Sequence, residues 1–416
     1  MKKRVLILAL ALALVLAAVT VSGHASGLFD FSFLSPDSVT ISQEEYNELK
    51  QAQEQLKKYE TMDEILQWIQ MYYLEEPDTQ KLLDYAAKGM MASLGDPYSV
   101  YYTADEWSTY WDDDAGVYVG VGLQLLGDPE TQRVTITQVF KGGPAEAAGV
   151  RRGDILTRVE DIDVTYFTMQ DAVNVMRGVE GEEVEIEVLH NKEAVTYRMK
   201  RASITVNRIE YTMLQDNVGY IALHEFAGET TKEFTAAFND LKRMGAKGLI
   251  FDLRDNGGGW VQDAINIADL FVDGGLLAYS QDRYGNREDF RLSSGADAIP
   301  LVFIVNANTA SSSEILSGGL QDLGRATVVG TQTFGKGIIQ VVNGLTDEDG
   351  DNQGGFALTY AQYFTPSGKA VHKVGITPDV ISELPETDET VYYELGDLSD
   401  PQLKDAFDAV KKLMTE

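Results

Sequence analysis

None of the 416 residues is cysteine, which excludes disulfides, thiol nucleophiles and cysteine-held metals at once. Histidine is scarce, with copies only at positions 24, 190, 224 and 372. No His-Glu-x-x-His pattern is present and no carboxylates stand in calcium-loop order, so no metal or other cofactor is expected. Basic residues are also few: 34 Lys and Arg stand against 65 Asp and Glu, for a net charge of −31. That balance argues against nucleic acid, or an anionic lipid surface, as the main partner. There is no internal repeat and no long low-complexity linker.

One uncharged apolar run interrupts this picture, Val5 to Val21, preceded by Lys2, Lys3 and Arg4. A basic start followed by an apolar stretch predicts a signal peptide or an N-terminal membrane anchor over residues 1–26. In either case the remainder is expected outside the cytoplasmic membrane, secreted or anchored, touching the membrane only through this segment.

Two short stretches carry the chemistry. Asn308-Thr309-Ala310-Ser311-Ser312-Ser313-Glu314-Ile315 follows the apolar run Leu301-Val302-Phe303-Ile304-Val305 and precedes Leu316, Leu320 and Leu323 at helical spacing. The pattern predicts strand, turn and helix, with a hydroxyl at the helix start. Free amides and the positive dipole end at such a start suit a developing oxyanion. A serine there also serves as a simple helix cap. The second stretch, Thr333-Phe334-Gly335-Lys336-Gly337-Ile338-Ile339-Gln340, sets a lysine between two glycines. A serine nucleophile needs a base, and lysine serves if burial leaves it neutral at working pH. Together the two stretches read as a Ser-Lys hydrolase.

The sequence Ser-x-Ser-Glu-Ile, then Leu320-Gln321-Asp322, Phe-Gly-Lys-Gly and Gln340, resembles the carboxyl-terminal processing peptidases, PDZ-containing serine proteases. The resemblance covers nearly the whole chain after residue 60. It implies Ser311 as nucleophile at the family's 25-residue distance from Lys336, the general base, with Gln340 orienting the lysine. The family usually has Ala where this chain has Ser312. The Ser312 amide is one natural oxyanion donor. Gly258, in Asn256-Gly257-Gly258-Gly259, is the candidate for the other, although Gly257 replaces a proline usual in the family. The segment Gly95-Asp96-Pro97-Tyr98-Ser99-Val100-Tyr101-Tyr102 also looks like the family's.

Between these regions, Gly143-Pro144-Ala145-Glu146-Ala147-Ala148-Gly149-Val150, followed by Gly153-Asp154-Ile155-Leu156, is similar to a PDZ domain. Such a module adds a peptide to a sheet edge and holds its terminal carboxylate on backbone amides. Gly120, Val121 and Gly122 are the expected carboxylate loop, and Leu123, Leu125, Val173 and Met176 the expected pocket. Arg177 matches a family arginine that can link the module to the protease site, and is a regulatory candidate.

The expected fold is multi-domain α/β: a mostly parallel sheet covered by helices, of the crotonase/Clp-protease-like kind. An inserted PDZ domain and an N-terminal helical region complete it. Boundaries are expected at 1–26 (leader), 27–112 (helical region), 116–202 (PDZ), 204–388 (protease core) and 389–416 (C-terminal helical segment). The implied partner is a protein or peptide with a free C-terminus. An adaptor or activator and a homodimer through the N-terminal helices are further candidate partners. The alternative is a catalytically silent PDZ-bearing scaffold outside the cytoplasm. A Ser-His-Asp scheme would have to use His224 or His372. An acyl-thioester enzyme on a similar sheet would have no use for the PDZ module.

Overall fold

Residues 41–190, 192–293, 296–385 and 393–415 are described by the computed structural model, and divide into two units, one ending at Ala87, the other starting at Lys88. The expected leader and the expected boundary at 388/389 lie outside the described residues. Among the described residues no helix is long and apolar enough to cross a membrane.

In the first unit, Ser42 and Glu45 form a reciprocal capping box that starts the helix Gln43–Leu56. The periodicity predicts one helix from about 42 to 72. Instead a tighter turn at Lys57–Tyr59 separates it from a second helix, Glu60–Tyr72. Neither helix buries a residue, and Tyr59, Met62, Ile65, Trp68 and Met71 are all exposed.

The second unit is built on a six-stranded sheet in the order Ile209–Met213, Val218–Leu223, Gly248–Asp252, Leu301–Val305, Thr327–Gly330 and Val380–Ile381. All its pairings are parallel except the first. Val218–Leu223, Gly248–Asp252 and Leu301–Val305 are buried at every position. Both faces must therefore be covered, which is why these strands read as unbroken apolar runs. Phe234, Phe238, Ile267, Leu316 and Leu320, from three helices, cover one face. Leu403, Ala406, Phe407 and Val410 of the helix Pro401–Leu413 cover the other. Arg254 fastens that last helix by pairing with Asp252 at 2.6 Å and with Asp400, its N-cap, at 2.7 Å.

A second, antiparallel sheet was not legible in the sequence. Asn352–Phe364 lies at its centre and pairs with Val100–Tyr102, Gly275–Asp282 and Ile338–Thr346. Residues ahead of the PDZ module are thus woven into the protease core.

The PDZ module has five main strands, running from Leu123–Gly127 at one edge to Glu193–Lys200 at the other, with the helix Met169–Met176. It leaves the core through Val117–Gly120 and returns through Ala202–Thr205, which pair with each other. Its own core is built around Val134, Ile136, Leu156, Val159, Ile186 and Val188. Lys141 of the module reaches Glu210 of the core at 2.7 Å, and Glu210 also meets His224 Nε2 at 3.3 Å. The hydrogen bond with His224, aided by Lys141 and opposed by burial, holds the Glu210 carboxyl down at about 2. A carboxyl depressed in the folded state stabilises the fold above its unfolded value and ceases to do so as pH falls through its folded value. Glu210→Gln should cost about 1–2 kcal/mol at neutral pH, and the difference should vanish near pH 2. Urea unfolding of both proteins across that range checks it, and a gap that persists at the acid end would refute the assignment.

Candidate active site

The strand Leu301–Val305 ends in a knotted turn. Asn306 N donates to Thr309 Oγ1, Thr309 Oγ1 donates to Leu253 O at 2.8 Å, and Ala310 N donates to Asn256 O. The chain then reaches Ser311 with φ 55° and ψ −118°, a conformation that a side-chain-bearing residue adopts only under constraint. Two neighbouring serines have committed their hydroxyls: Ser312 Oγ donates to Gly259 O at 2.7 Å and Ser313 Oγ to Asn256 O at 3.1 Å. Among the described residues the Ser311 hydroxyl donates to none, and Ser311 is 9% exposed. Three chemically identical side chains are thereby told apart by geometry.

Glu314 supplies the constraint. It is fully buried, and its Oε1 accepts from Thr333 Oγ1 at 2.5 Å and Gly335 N at 2.8 Å. Its Oε2 accepts from Ser311 N and Lys336 N, both at 2.9 Å. One carboxylate therefore ties the turn of Ser311 to the loop of Lys336. Burial pushes this carboxyl up, and the four donated hydrogen bonds oppose the rise.

Lys336 Nζ lies 4.4 Å from the centre of the Tyr98 ring. Burial depresses its ammonium below the ordinary lysine value, while the Asp96 and Glu314 carboxylates pull the other way. Among the described residues no hydrogen bond joins Lys336 Nζ to Ser311. Gln340 Nε2 donates instead to Thr359 Oγ1 at 2.9 Å, on the strand alongside. Glu314 thus brings the lysine and serine loops together, while the amine and the hydroxyl are not joined.

Gly258 sits against the serine: a Cβ there would fall 2.7 Å from Ser311 Cβ and 2.9 Å from Ser312 N. Its own amide donates to Asn256 Oδ1 at 2.9 Å, so it is occupied in this arrangement. Ser312 N heads the helix Ser312–Asp322, where the first amides have no intrahelical acceptor. Gly259 is glycine of necessity, with φ 135° and no room for a Cβ, which would lie 2.0 Å from Phe226 O. His224 pairs with Glu210 and neither it nor His372 is bonded to Ser311.

These observations meet independent support in sequence. Residues 217–382 match the model of peptidase family S41, residues 135–189 that of a PDZ domain, and residues 21–106 that of the activating protease CtpB N-terminal domain. The carboxyl-terminal-processing protease of Synechocystis sp. is 35% identical over 75% of this chain and 74% of its own. The carboxy-terminal processing protease CtpA of Bacillus subtilis is 32% identical over 81% of this chain and 72% of its own. The chain belongs to the S41 carboxyl-terminal processing proteases. A solved photosystem II D1 C-terminal processing protease superposes with a TM-score of 0.56 at 32% identity, covering 75% of this chain and 85% of that one. The protease is of the serine type, with a mixed α/β fold and a PDZ domain.

In the PDZ domain of this protease, Val121 and Met176 are buried in the module's core, while Leu123, Leu125 and Val173 are half-buried against it. Leu123–Gly127 pairs on one side only, leaving the other edge open. Gly120 ends the preceding strand, and Gly122 turns the loop with φ 86°. Burial pushes the Tyr118 hydroxyl up to about 12. Arg177 lies 4.9 Å over the Tyr118 ring and pairs with Asp113 at 2.7 Å. The next residue, Asp114, accepts from Trp260 Nε1 at 2.6 Å, directly after the glycine turn. Arg177 thus joins the module to a helix that touches the 257–260 segment.

The sequence reading gave no role to Glu314, Asn256, Asp96 or Tyr98. For Glu314 a signal existed: it stands three residues after Ser311, the capping-box position.

Proposed function

We propose that this serine protease is an endopeptidase that captures the free C-terminus of a protein substrate on its PDZ domain and cleaves near that end. Ser311 is the nucleophile, neutral Lys336 the general base, and Gln340 the residue that steadies the lysine. The observation that carries the reading is that Glu314 Oε2 accepts from both Ser311 N and Lys336 N, joining the serine's turn to the loop of a lysine whose charge burial disfavours. Lys336 takes the hydroxyl proton as Ser311 attacks the carbonyl carbon, and the Ser312 amide receives the oxyanion. Gly258 joins as second donor once its amide leaves Asn256. The lysine then protonates the departing amine, and water releases the acyl group.

The peptide's carboxylate would take the amides of the Gly120-Val121-Gly122 loop, where Gly122 turns with φ 86°. Its last residues would lie along Leu123–Gly127, with Arg177 relaying occupancy to the core through Asp113. The exposed apolar residues of the first unit suit self-association or an adaptor. The work would be done outside the cytoplasmic membrane, with residues 1–26 as leader or anchor.

One unstructured peptide, with a free and with an amidated C-terminus, tests capture. Amidation should lower kcat/KM about tenfold or more, since it removes charged hydrogen bonds to the loop amides. Arg177→Ala should shrink that preference. Equal rates for both peptides would rule the capture out.

A further inference from the structure

The turn at residues 96–99, which joins the helical segment to the strand Val100–Tyr102, is built against the lysine and not merely beside it. Asp96 organises the turn: its carboxylate accepts from Tyr98 N at 3.0 Å and from Ser99 Oγ at 2.6 Å. Ser99 Oγ in turn accepts from Thr359 N at 3.1 Å, which stitches the turn to the central strand of the antiparallel sheet. The Thr359 hydroxyl accepts from Gln340 Nε2 at 2.9 Å. A continuous run therefore leads from Asp96 through Ser99 and Thr359 to Gln340. The Tyr98 ring, held in the same turn, lies with its centre 4.4 Å from Lys336 Nζ, which is cation–π distance.

We propose that Asp96 and Tyr98 are positioning residues of the proteolytic site, the ring confining the Lys336 side chain and the carboxylate fixing, through Ser99 and Thr359, the glutamine that steadies it. The proposal rests on Lys336 being the base, and extends the machinery to a segment on the far side of the PDZ insertion in sequence.

The charges that reach Lys336 come from Asp96 in the turn and from Glu314 at the start of the helix Ser312–Asp322. His372, whose Nδ1 is buried with no hydrogen-bond partner among the described residues, feels the same Asp96 and the adjacent Lys373. A carboxylate near an amine favours the protonated amine. Removing the Asp96 charge must then make Lys336 deprotonate at lower pH, whereas loss of a purely architectural residue would leave that titration in place.

The full chain carrying Ser311→Ala allows the titration to be read without turnover, by the rate at which cyanate carbamylates Lys336, followed by peptide mass spectrometry as pH is raised. Adding Asp96→Asn should move the midpoint to lower pH, since Asn still accepts in the turn but carries no charge. In the active protein, Tyr98→Leu should reduce kcat about tenfold through loss of alignment, with KM within about twofold and the melting temperature retained. Tyr98→Phe should restore the rate, because the ring face and not the hydroxyl meets the amine. An unmoved midpoint in Asp96→Asn, or full kcat in Tyr98→Leu, overturns the proposal. A shifted midpoint alongside undiminished cleavage by Lys336→Ala would uphold the placement of the amine and remove Lys336 as the base.

Discussion

Ser311→Ala should abolish cleavage of a free peptide, and Lys336→Ala should lower it nearly as far, each by about a thousandfold or more, as expected if the two act as one unit, whose members do not act additively. The double variant should fall little below either single one. The reason for equal losses lies in the division of labour. The Ser311 hydroxyl donates to no described residue and is not acidic, and the base proposed for its proton is a lysine whose charge burial disfavours. In wild type, kcat/KM should rise with pH as Lys336 loses its proton and reach a plateau below the ~10.4 of free lysine. The sign follows from the direction of the shift: a protonated amine cannot accept, and desolvation moves its loss of the proton to lower pH. An acid limb that survives in Lys336→Ala, with cleavage intact, would return the role of base to a histidine.

Glu314→Ala is expected to do the greatest structural damage of any single change at the site. Its carboxylate accepts from Thr333 Oγ1 and from the amides of Ser311, Gly335 and Lys336, the first three in a buried setting. Truncation strands these donors and opens a void, at a cost of about 3–5 kcal/mol. It also frees the Ser311 backbone from the strained conformation that nothing else imposes so directly. Unfolding midpoint and kcat should fall together in Glu314→Ala. In Glu314→Gln, where one acceptor survives but an amide group faces donors, activity should still be lost while stability recovers only in part. A Glu314→Ala protein with wild-type unfolding and turnover would show that the tie between the two loops is dispensable.

The parallel sheet and the PDZ module were legible because their residues obey strong local rules. Buried strands read as apolar runs, and the Pro-Ala-x-x-Ala-Gly-Val run fixes a short helix with Gly149 in the left-handed region after it. The 42–72 helix was read as continuous because its polar and apolar spacing runs unbroken through Lys57–Tyr59, where the backbone tightens. The antiparallel sheet escaped for a different reason: Val100–Tyr102 pairs with Gly355, Phe356 and Ala357, a partnership with no local signature. At the site, residue types made Ser311 and Lys336 the candidates, but not who holds whom. That Gly258 gives its amide to Asn256, or Gln340 its amide group to Thr359, depends on side-chain directions that spacing does not encode.

The paired stem of the PDZ module has an architectural corollary. Val117 stands opposite Thr205 in antiparallel register, so the two points where the core chain breaks off and resumes are roughly 5 Å apart. A turn of about two residues would close that gap. The PDZ module is in effect a cassette, spliced into a hydrolase whose own chain path stays almost unbroken across the splice. Such a joint lets one protease core be fitted with different modules by exchange at a single pair of strands, leaving Ser311, Lys336 and the glutamate between them undisturbed.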